Sequence, residues 1–299
     1  MAKIFVPADV VLGSSTVRQI TGVDHKTGQQ HRKSMNSGGV AVVQVSGKSA
    51  EEVTSITSAD LATLVALNTN TFCSAGLSLA SSTITVPFKP RTAGGAFVSG
   101  SNYVALTGAN AFIVPTSFEA SQDADFSTCA FDIHWISTDG LTKGCDDASS
   151  QALASQAFGA EYTMGPVYIN GTAIAGAQSF RVTPGIEVVK PPLGSGTLFP
   201  FMASIKSVTP TIEITVNDFA SIESTVGDWT AMTSCNCYMK KRADSGTFTA
   251  GETTEHVRFT FAAGLADTGG VQVSNNDDGS ATITLHGKTL TASAAVALP

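Results

Sequence analysis

Residues 45–64 read VSGKSAEEVTSITSADLATL, and residues 203–222 read ASIKSVTPTIEITVNDFASI. Laid on one another without a gap, they agree at Ser46 and Ser204, Lys48 and Lys206, Ser49 and Ser207, Ile56 and Ile214, Thr57 and Thr215, Asp60 and Asp218, and Ala62 and Ala220. In the second stretch Ile212, Ile214 and Val216 fall at every other position, the pattern of a strand with one buried face. Residues 58–67 then switch period. Ser58 is suited to cap a helix, Asp60 falls in its first turn, and Leu61, Leu64 and Val65 lie at i, i+3 and i+4. Residues 217–226 repeat this logic with Phe219, Ile222 and Val226, which predicts a second short helix.

Upstream, Thr16 and Gln19 face Thr172 and Gln178, each in an expected hairpin, and a glycine-bearing loop follows at 37–39 and again at 194–196. The pattern implies an internal duplication of one unit, ordered hairpin, long loop, strands, short helix, further strands. The expected boundaries are 1–155 for the first unit and 156–299 for the second, which adds a C-terminal hairpin and tail. Two copies are too few for a solenoid. The fold class is therefore mainly β, with two duplicated β-sandwich or barrel units and one short flanking α-helix in each.

Other segments agree. Residues 40–45, 82–86, 130–136, 256–261 and 281–285 are short runs of β-branched and aromatic residues bounded by turn formers. Asn170-Gly171 and the stretch from Asn275 to Gly279 supply residues that tolerate the positive φ of tight hairpins. With 299 residues, 42% apolar content and a mean hydropathy of +0.16, the chain can bury a core, which excludes intrinsic disorder. No apolar run approaches the roughly 20 residues of a membrane-spanning helix. Pro7 and Asp9 interrupt the opening segment where a signal peptide needs an apolar stretch, so export by that route is not expected. Only 14% of residues are charged, against roughly 25% in an average soluble domain. Either Ser, Thr, Asn and Gly supply the surface polarity, or much of the surface is covered by other chains. The net charge is −7, with both halves acidic, which excludes a basic nucleic-acid reader.

Motifs for chemistry fail one by one. Gly47-Lys48-Ser49 ends like a phosphate-binding loop, but Val42 stands where that loop needs its first glycine; Gly287-Lys288-Thr289 has Thr282 there. Gly194-Ser195-Gly196 opens like a dinucleotide fingerprint, with Phe199 in place of the third glycine. There is no nucleophile elbow, and His25, His31, His134, His256 and His286 never make the i, i+4 pair of a helical zinc site. Glu252, Glu255 and His256 could form a carboxylate and base cluster, or merely a charged strand start. Asp146-Asp147 and Asp277-Asp278 lack calcium-loop spacing and read as turn residues. The five cysteines, Cys73, Cys129, Cys145, Cys235 and Cys237, are an odd set without a disulfide framework, and Cys235 and Cys237 are expected as half-buried thiols. No enzyme, cofactor or metal reading survives.

The equivalent long loops, 24–39 and 183–198, remain distinctive. The first carries Asp24, His25, Lys26, His31, Arg32 and Lys33; the second carries Pro184, Glu187, Lys190, Pro191 and Pro192. They are either mobile solvated loops or arms that pack on another subunit. In the second case Asp24, His25, Lys26, His31, Arg32, Lys33, Glu187, Lys190, Pro191 and Pro192 are the candidates for inter-subunit contact.

The run from Pro166 to Glu187, then Gly196-Thr197-Leu198-Phe199-Pro200, then Pro210 to Asp218, resembles the tube domain of major tail proteins of long-tailed, siphovirus-type bacteriophages. About 60 residues carry the likeness directly, and the first half shares it through the duplication. The resemblance implies a sandwich with a flanking helix that associates side by side into rings whose inward strands merge into one barrel. Stacked rings, with the long loop reaching into the next, would form the conduit through which DNA leaves the capsid. A chain with two units would close a near-sixfold ring from three copies, with a homohexamer as the alternative. The implied partners are the chain itself, other tail proteins and double-stranded DNA in non-specific passage, with no membrane; the implied location is the host cytoplasm during assembly, then the virion tail. Competing expectations are a capsid or capsid-decoration protein and, in another class, a bacterial surface carbohydrate-binding β-sandwich, for which two Trp and four Tyr are few.

Overall fold

The computed structural model describes residues 4–35, 42–91, 103–151, 159–191, 197–217, 231–243, 247–274 and 277–299. These residues are mostly strand, as the alternating segments predict, with two short helices. The first half contains β1 (Ile4–Pro7), β2 (Val10–Leu12), β3 (Ser15–Val17), β4 (Ile20–Lys26), β5 (Gln30–Met35), β6 (Val42–Ser49) and β7 (Val53–Ser58). Helices α1 (Leu61–Asn70) and α2 (Phe72–Ala75) follow, then β8 (Leu77–Leu79), β9 (Ile84–Arg91), β10 (Tyr103–Gly108), β11 (Ala111–Ser121), β12 (Thr128–Trp135) and β13 (Asp146–Gln151). The second half contains β14 (Glu161–Ile169), β15 (Thr172–Ala173), β16 (Ala177–Thr183), β17 (Ile186–Val189), β18 (Ser204–Val208), β19 (Thr211–Val216), β20 (Ala231–Arg242), β21 (His256–Ser274) and β22 (Asp277–Val296).

All pairings are antiparallel. A smaller sheet runs β13-β10-β9-β2-β3, with β1 also on β9, and a twelve-stranded sheet runs β15-β14-β20-β21-β22-β19-β16-β11-β12-β7-β4, with β8 on β11. Within the large sheet the quartet β4-β7-β12-β11 meets the quartet β16-β19-β22-β21, edge to edge, through β11 and β16.

The registers of the two halves run in parallel. Val11 faces Thr16 and Leu12 faces Ser15 in the first hairpin; Tyr168 faces Ala173 and Ile169 faces Thr172 in the other. Against β7, β4 bulges between Ile20 and Gly22; against β19, β16 bulges between Ala177 and Ser179. The β5–β6 hairpin shifts register just after the pair Gln30–Ser49, and β17–β18 just after Glu187–Ser207. A bulge between Pro115 and Ser117 on β11 has its counterpart between Thr268 and Val271 on β21, and one between Tyr103 and Ala105 on β10 has its counterpart between His256 and Arg258. A bulge is a local insertion with a defined twist, so four coincidences of place carry more weight than strand order alone.

One continuous core joins the two halves. Ile56, Phe131, Ile133, Phe118, Val182, Ile212, Ile214, Ile283 and Leu285 all point to the same side of the large sheet and are essentially unexposed. Helix α1 adds Leu61, Leu64 and Val65, each fully buried, and packs on β22 of the second half as well as on β3. Its cap differs from expectation. Asp60 is the N-cap, accepting from the Thr63 amide, while Ser58 Oγ accepts from the Asp60 amide at 2.9 Å and donates to the Arg18 carbonyl at 2.7 Å. Regular helix stops before Leu67. The second expected helix, 217–226, lies outside the described residues from 218 onward.

Three further expectations change. The long loops are hairpin arms: β4 continues to Lys26, and β5–β6 and β17–β18 form two-stranded sheets of their own. Gly28 and Gly185 turn the chain into these arms at φ +53° and +63°, and a Cβ at either would strike a backbone carbonyl, of Glu51 or Thr209. Asp146 and Asp147 open strand β13 and are not turn residues. Cys235 and Cys237 are fully buried, with sulfurs 3.8 Å apart. Asn170 and Gly171, at φ +51° and +81°, make the expected two-residue hairpin turn.

Candidate assembly surfaces

The seam between the quartets is short and well filled. Phe118 faces Val182, Glu119 faces Arg181, Ala120 faces Phe180 and Ser121 faces Ser179. Phe118, Ala120, Phe180 and Val182 turn into the core, where the Phe118 ring lies 4.8 Å from Phe259 of β21. On the opposite side Arg181 Nε lies 3.3 Å from Glu119 Oε1. Gln122 closes the end of the seam, its amide donating to the Gln178 carbonyl at 2.9 Å and its side chain to the Ala177 carbonyl at 2.7 Å.

Beyond the seam, that opposite side of the eight strands is covered at Phe112 and Val114, and elsewhere many of its residues are partly or fully exposed. Alternation dictates its content: each residue between two core positions points there. Ser55, Thr57, Thr128, Ser121, Ser179, Thr215, Thr282 and Thr284 give it a hydroxyl lining. Charge is added by Asp24, Glu119, Asp132, Glu213 and Asp267 against Lys26 and Arg181. Glu213 stands directly opposite Arg181 on the neighbouring strand. This surface is polar and acid-biased, and it is hollowed around the seam by a cavity of about 400 Å³ lined by Glu119, Ser121, Thr128, Arg181, Glu213 and Thr282. The sequence alone singled out only Asp24 and Lys26 among these charges; the alternation in 128–135 and 211–216 could have flagged Asp132 and Glu213, but which strands lie side by side has no local signature.

The arms carry most of the candidate contact residues. His31 and Lys33 are exposed on β5, where Arg32 also lies, and the facing strand exposes Gln44, Val45, Ser46 and Lys48. Asp24 and Lys26 form an exposed ion pair at 3.1 Å, worth little by itself. His25 is engaged internally: Trp135 Nε1 donates to Thr54 Oγ1 at 2.8 Å, and that hydroxyl lies 2.8 Å from His25 Nδ1. On the second arm Lys206 Nζ and Ser207 Oγ hold the Glu187 carboxylate at 2.7 and 2.9 Å, which keeps it below the usual carboxylate range. Lys190 is not free for a partner: its ammonium is nearly covered and lies 3.5 Å from Glu51 of the first half. Pro191 is half-buried beside it, and Pro192 lies outside the described residues. Leu198, Phe201, Met202 and Val208 add exposed apolar surface on and beside this arm.

The Lys190 contact has a titration consequence. Burial, and secondarily the Lys190 charge, push His134 from 6.5 down to about 4. The unfolded chain therefore takes up this proton first as pH falls, and the contribution of neutral His134 is lost between about pH 6.5 and 4. By pH 5 the loss should be about 2 kcal/mol. Urea unfolding at pH 7.5 and pH 5 should show a His134→Gln variant losing less stability than the parent by that amount; equal losses would place the histidine in water.

Among the described residues, the candidates for chemistry are engaged in structural contacts. His256 is fully buried and satisfied, with Nδ1 accepting from the Lys241 amide and Nε2 3.0 Å from the Ala250 carbonyl. Glu255 pairs with Lys241 at 3.2 Å. Gly47-Lys48-Ser49 lies in strand β6 and Gly287-Lys288-Thr289 in β22, neither at a helix start. Burial pushes the Cys73, Cys129 and Cys145 thiols up, and the neighbouring Cys235 thiol, with burial, does the same to Cys237, against any reactive thiolate. Among the described residues no three His, Cys, Asp or Glu side chains cluster as a metal site, and no helix is long and apolar enough to cross a membrane. No protein-family model matches the chain, and no curated protein matches it either.

Proposed function

We propose that this chain is a structural, self-assembling virion protein: two copies of one β-sandwich unit, spanning 1–155 and 156–299, which associate side by side into stacked rings of a phage-type tail tube. The observation that carries the reading is the joined sheet, in which two quartets of like order and like bulges meet edge to edge and carry a polar, partly exposed face. The offset of 158 residues that aligns 45–64 with 203–222 is also the offset between Ser49 and Ser207 and between Ile56 and Ile214 in their ladders. Upstream, the ladders favour Ser15 with Thr172 and Thr16 with Ala173 as the matching pairs.

Size and charge agree with a conduit. Three chains would bring twenty-four such strands around one axis. At a strand spacing of ~4.8 Å and a tilt of about 35–45°, the closed barrel would measure roughly 45–50 Å between backbones, wide enough for a duplex once side chains are added. A lining of hydroxyls and carboxylates, whose Lys26 and Arg181 are paired with Asp24 and Glu119, offers DNA little cationic charge to displace its counterions, so the duplex slides. On this reading the arms, which form two-stranded sheets of their own, supply the contacts between rings.

Negative-stain images and the native mass of isolated rings test this reading. Hollow rods or rings of three copies are expected; shells or isolated trimers would favour a capsid or decoration protein instead. Replacing Lys26, Arg32 and Lys33 together with alanine should leave rings but shorten or dissociate the rods. Rods of normal length and stability would remove the basic arm from ring-to-ring contact.

A further inference from the structure

The cavity at the seam, about 400 Å³, falls within the roughly 300–1,000 Å³ of small-molecule sites. Two rows of neighbouring side chains make its floor. Register places Glu119 of β11, Arg181 of β16 and Glu213 of β19 side by side in the first. Ser121, Ser179, Thr215 and Thr282, on β11, β16, β19 and β22, make the second. At a strand spacing of ~4.8 Å the second row is about 14 Å long. Phe126, half-buried in the connection from β11 to β12, adds an aromatic wall.

Most of these groups are not engaged within the protein. Glu119 Oε1 takes the Ser117 hydroxyl at 3.0 Å and Arg181 Nε at 3.3 Å, and Ser121 Oγ accepts from the Asp123 amide at 3.3 Å. Among the described residues, the side chains of Ser179, Glu213, Thr215 and Thr282 make no hydrogen bond or ion pair. Glu213 has Arg181 as its neighbour on the next strand, yet the guanidinium turns to Glu119.

The donor and acceptor inventory selects the ligand. Carboxylates only accept, a guanidinium only donates, and serine and threonine hydroxyls do both. A phosphate or carboxylate ligand would meet Glu119 and Glu213, and an ammonium ligand would meet Arg181, each with like charge. A zwitterion answers the row of charges and leaves the row of hydroxyls unused. A neutral ligand whose every polar group both donates and accepts matches both rows.

We propose that this cavity binds a neutral sugar of one or two pyranose rings. Its hydroxyls donate to Glu119 and Glu213, accept from Arg181, and do either with the serines and threonines, while Phe126 covers the hydrocarbon face of a ring. The floor and the wall belong to one chain, so the site does not depend on ring formation, and its failure would leave the tube reading untouched. The floor groups stay partly in water, which sets the expected Kd at about 1–10 mM, or roughly −3 to −4 kcal/mol.

Saturation-transfer NMR on the full chain, with maltose, cellobiose, lactose, mannobiose and diacetylchitobiose as probes, tests the assignment. At least one should bind in that range, with less than a twofold change between 50 and 500 mM NaCl, since a neutral ligand has no charge to screen. Glu213→Ala and Phe126→Ala should each weaken binding at least fivefold, and Thr282→Val at least twofold, whereas Glu252→Ala, outside the cavity, should leave it unchanged. Glu213 and Thr282 are exposed, so their variants read the site even where loss of Phe126 disturbs the turn. No binding at 50 mM sugar, or binding that ignores the Glu213 and Thr282 variants, would overturn the proposal. Tighter binding of spermidine or inorganic phosphate to the same residues, falling steeply with salt, would overturn it in favour of a charged ligand.

Discussion

Phe118→Ala is expected to cost about 3–5 kcal/mol of folding stability, the range for truncating a fully buried phenylalanine. Phe118 is 0% exposed, faces Val182 across the seam and lies 4.8 Å from the Phe259 ring, tilted at 46°. It belongs to the first half, and both partners belong to the second. The cavity would therefore open where the two halves meet and could not be filled by movement within one of them. A loss of this size is a large share of the ~5–15 kcal/mol of a typical domain. Urea denaturation should show the midpoint falling with little change in slope. Phe5→Ala, at a side chain 47% exposed, serves as the contrast and should change stability by no more than about 0.5 kcal/mol. A Phe118 variant as stable as the Phe5 variant would mean that the halves do not share a core.

Much of the fold is legible in residues whose two sides face different solvents. Thr211–Val216 alternates because Ile212, Ile214 and Val216 enter the core while Glu213 and Thr215 face out, and it forms β19 with the expected bounds. Leu61, Leu64 and Val65 mark a helix because a single face of it is buried. The arms defeat the same logic. Gln30–Met35 reads QHRKSM, with no alternation; the adjacent Gln30 and His31, which alternate sides, are both exposed. The strands of this hairpin exist through their ladder to each other, and a backbone ladder leaves no mark on side-chain polarity. The helix cap moved from Ser58 to Asp60 because the Ser58 hydroxyl reaches the Arg18 carbonyl, 40 residues away in sequence. The seam was hidden for a related reason: the approach of Glu119 to Arg181 depends on which edges meet, and no window of either strand contains that information. Lys190 illustrates the limit for the contact candidates. A lysine in a proline-rich arm looks available to a neighbour, yet its closest carboxylate is Glu51 of its own chain.

If the chain builds the proposed tube, reversing the charge of the polar face should convert an acid-biased lining into one that holds DNA. The variant to make is Asp132→Lys, Glu213→Lys, Asp267→Lys, three positions that alternation places on the side of the sheet away from the core. None lies in the β11–β16 seam, so the fold should persist, and negative stain reports whether rods still form. Each new lysine that meets a phosphate adds about 0.9 to the slope of log affinity against log salt. Three per chain should weaken binding of a short duplex by about 40-fold between 50 and 200 mM salt, measured by fluorescence anisotropy on isolated tubes. The parent tube should bind such duplexes too weakly for a slope to be measured. The contrast discriminates between placements of the face. On the outside of a particle the same lysines would bind long and short duplexes alike, whereas inside a channel they are reached only by duplexes that can enter from an end. Binding that ignores duplex length, or parent tubes that already hold DNA with a steep salt slope, would take the acidic face out of the conduit.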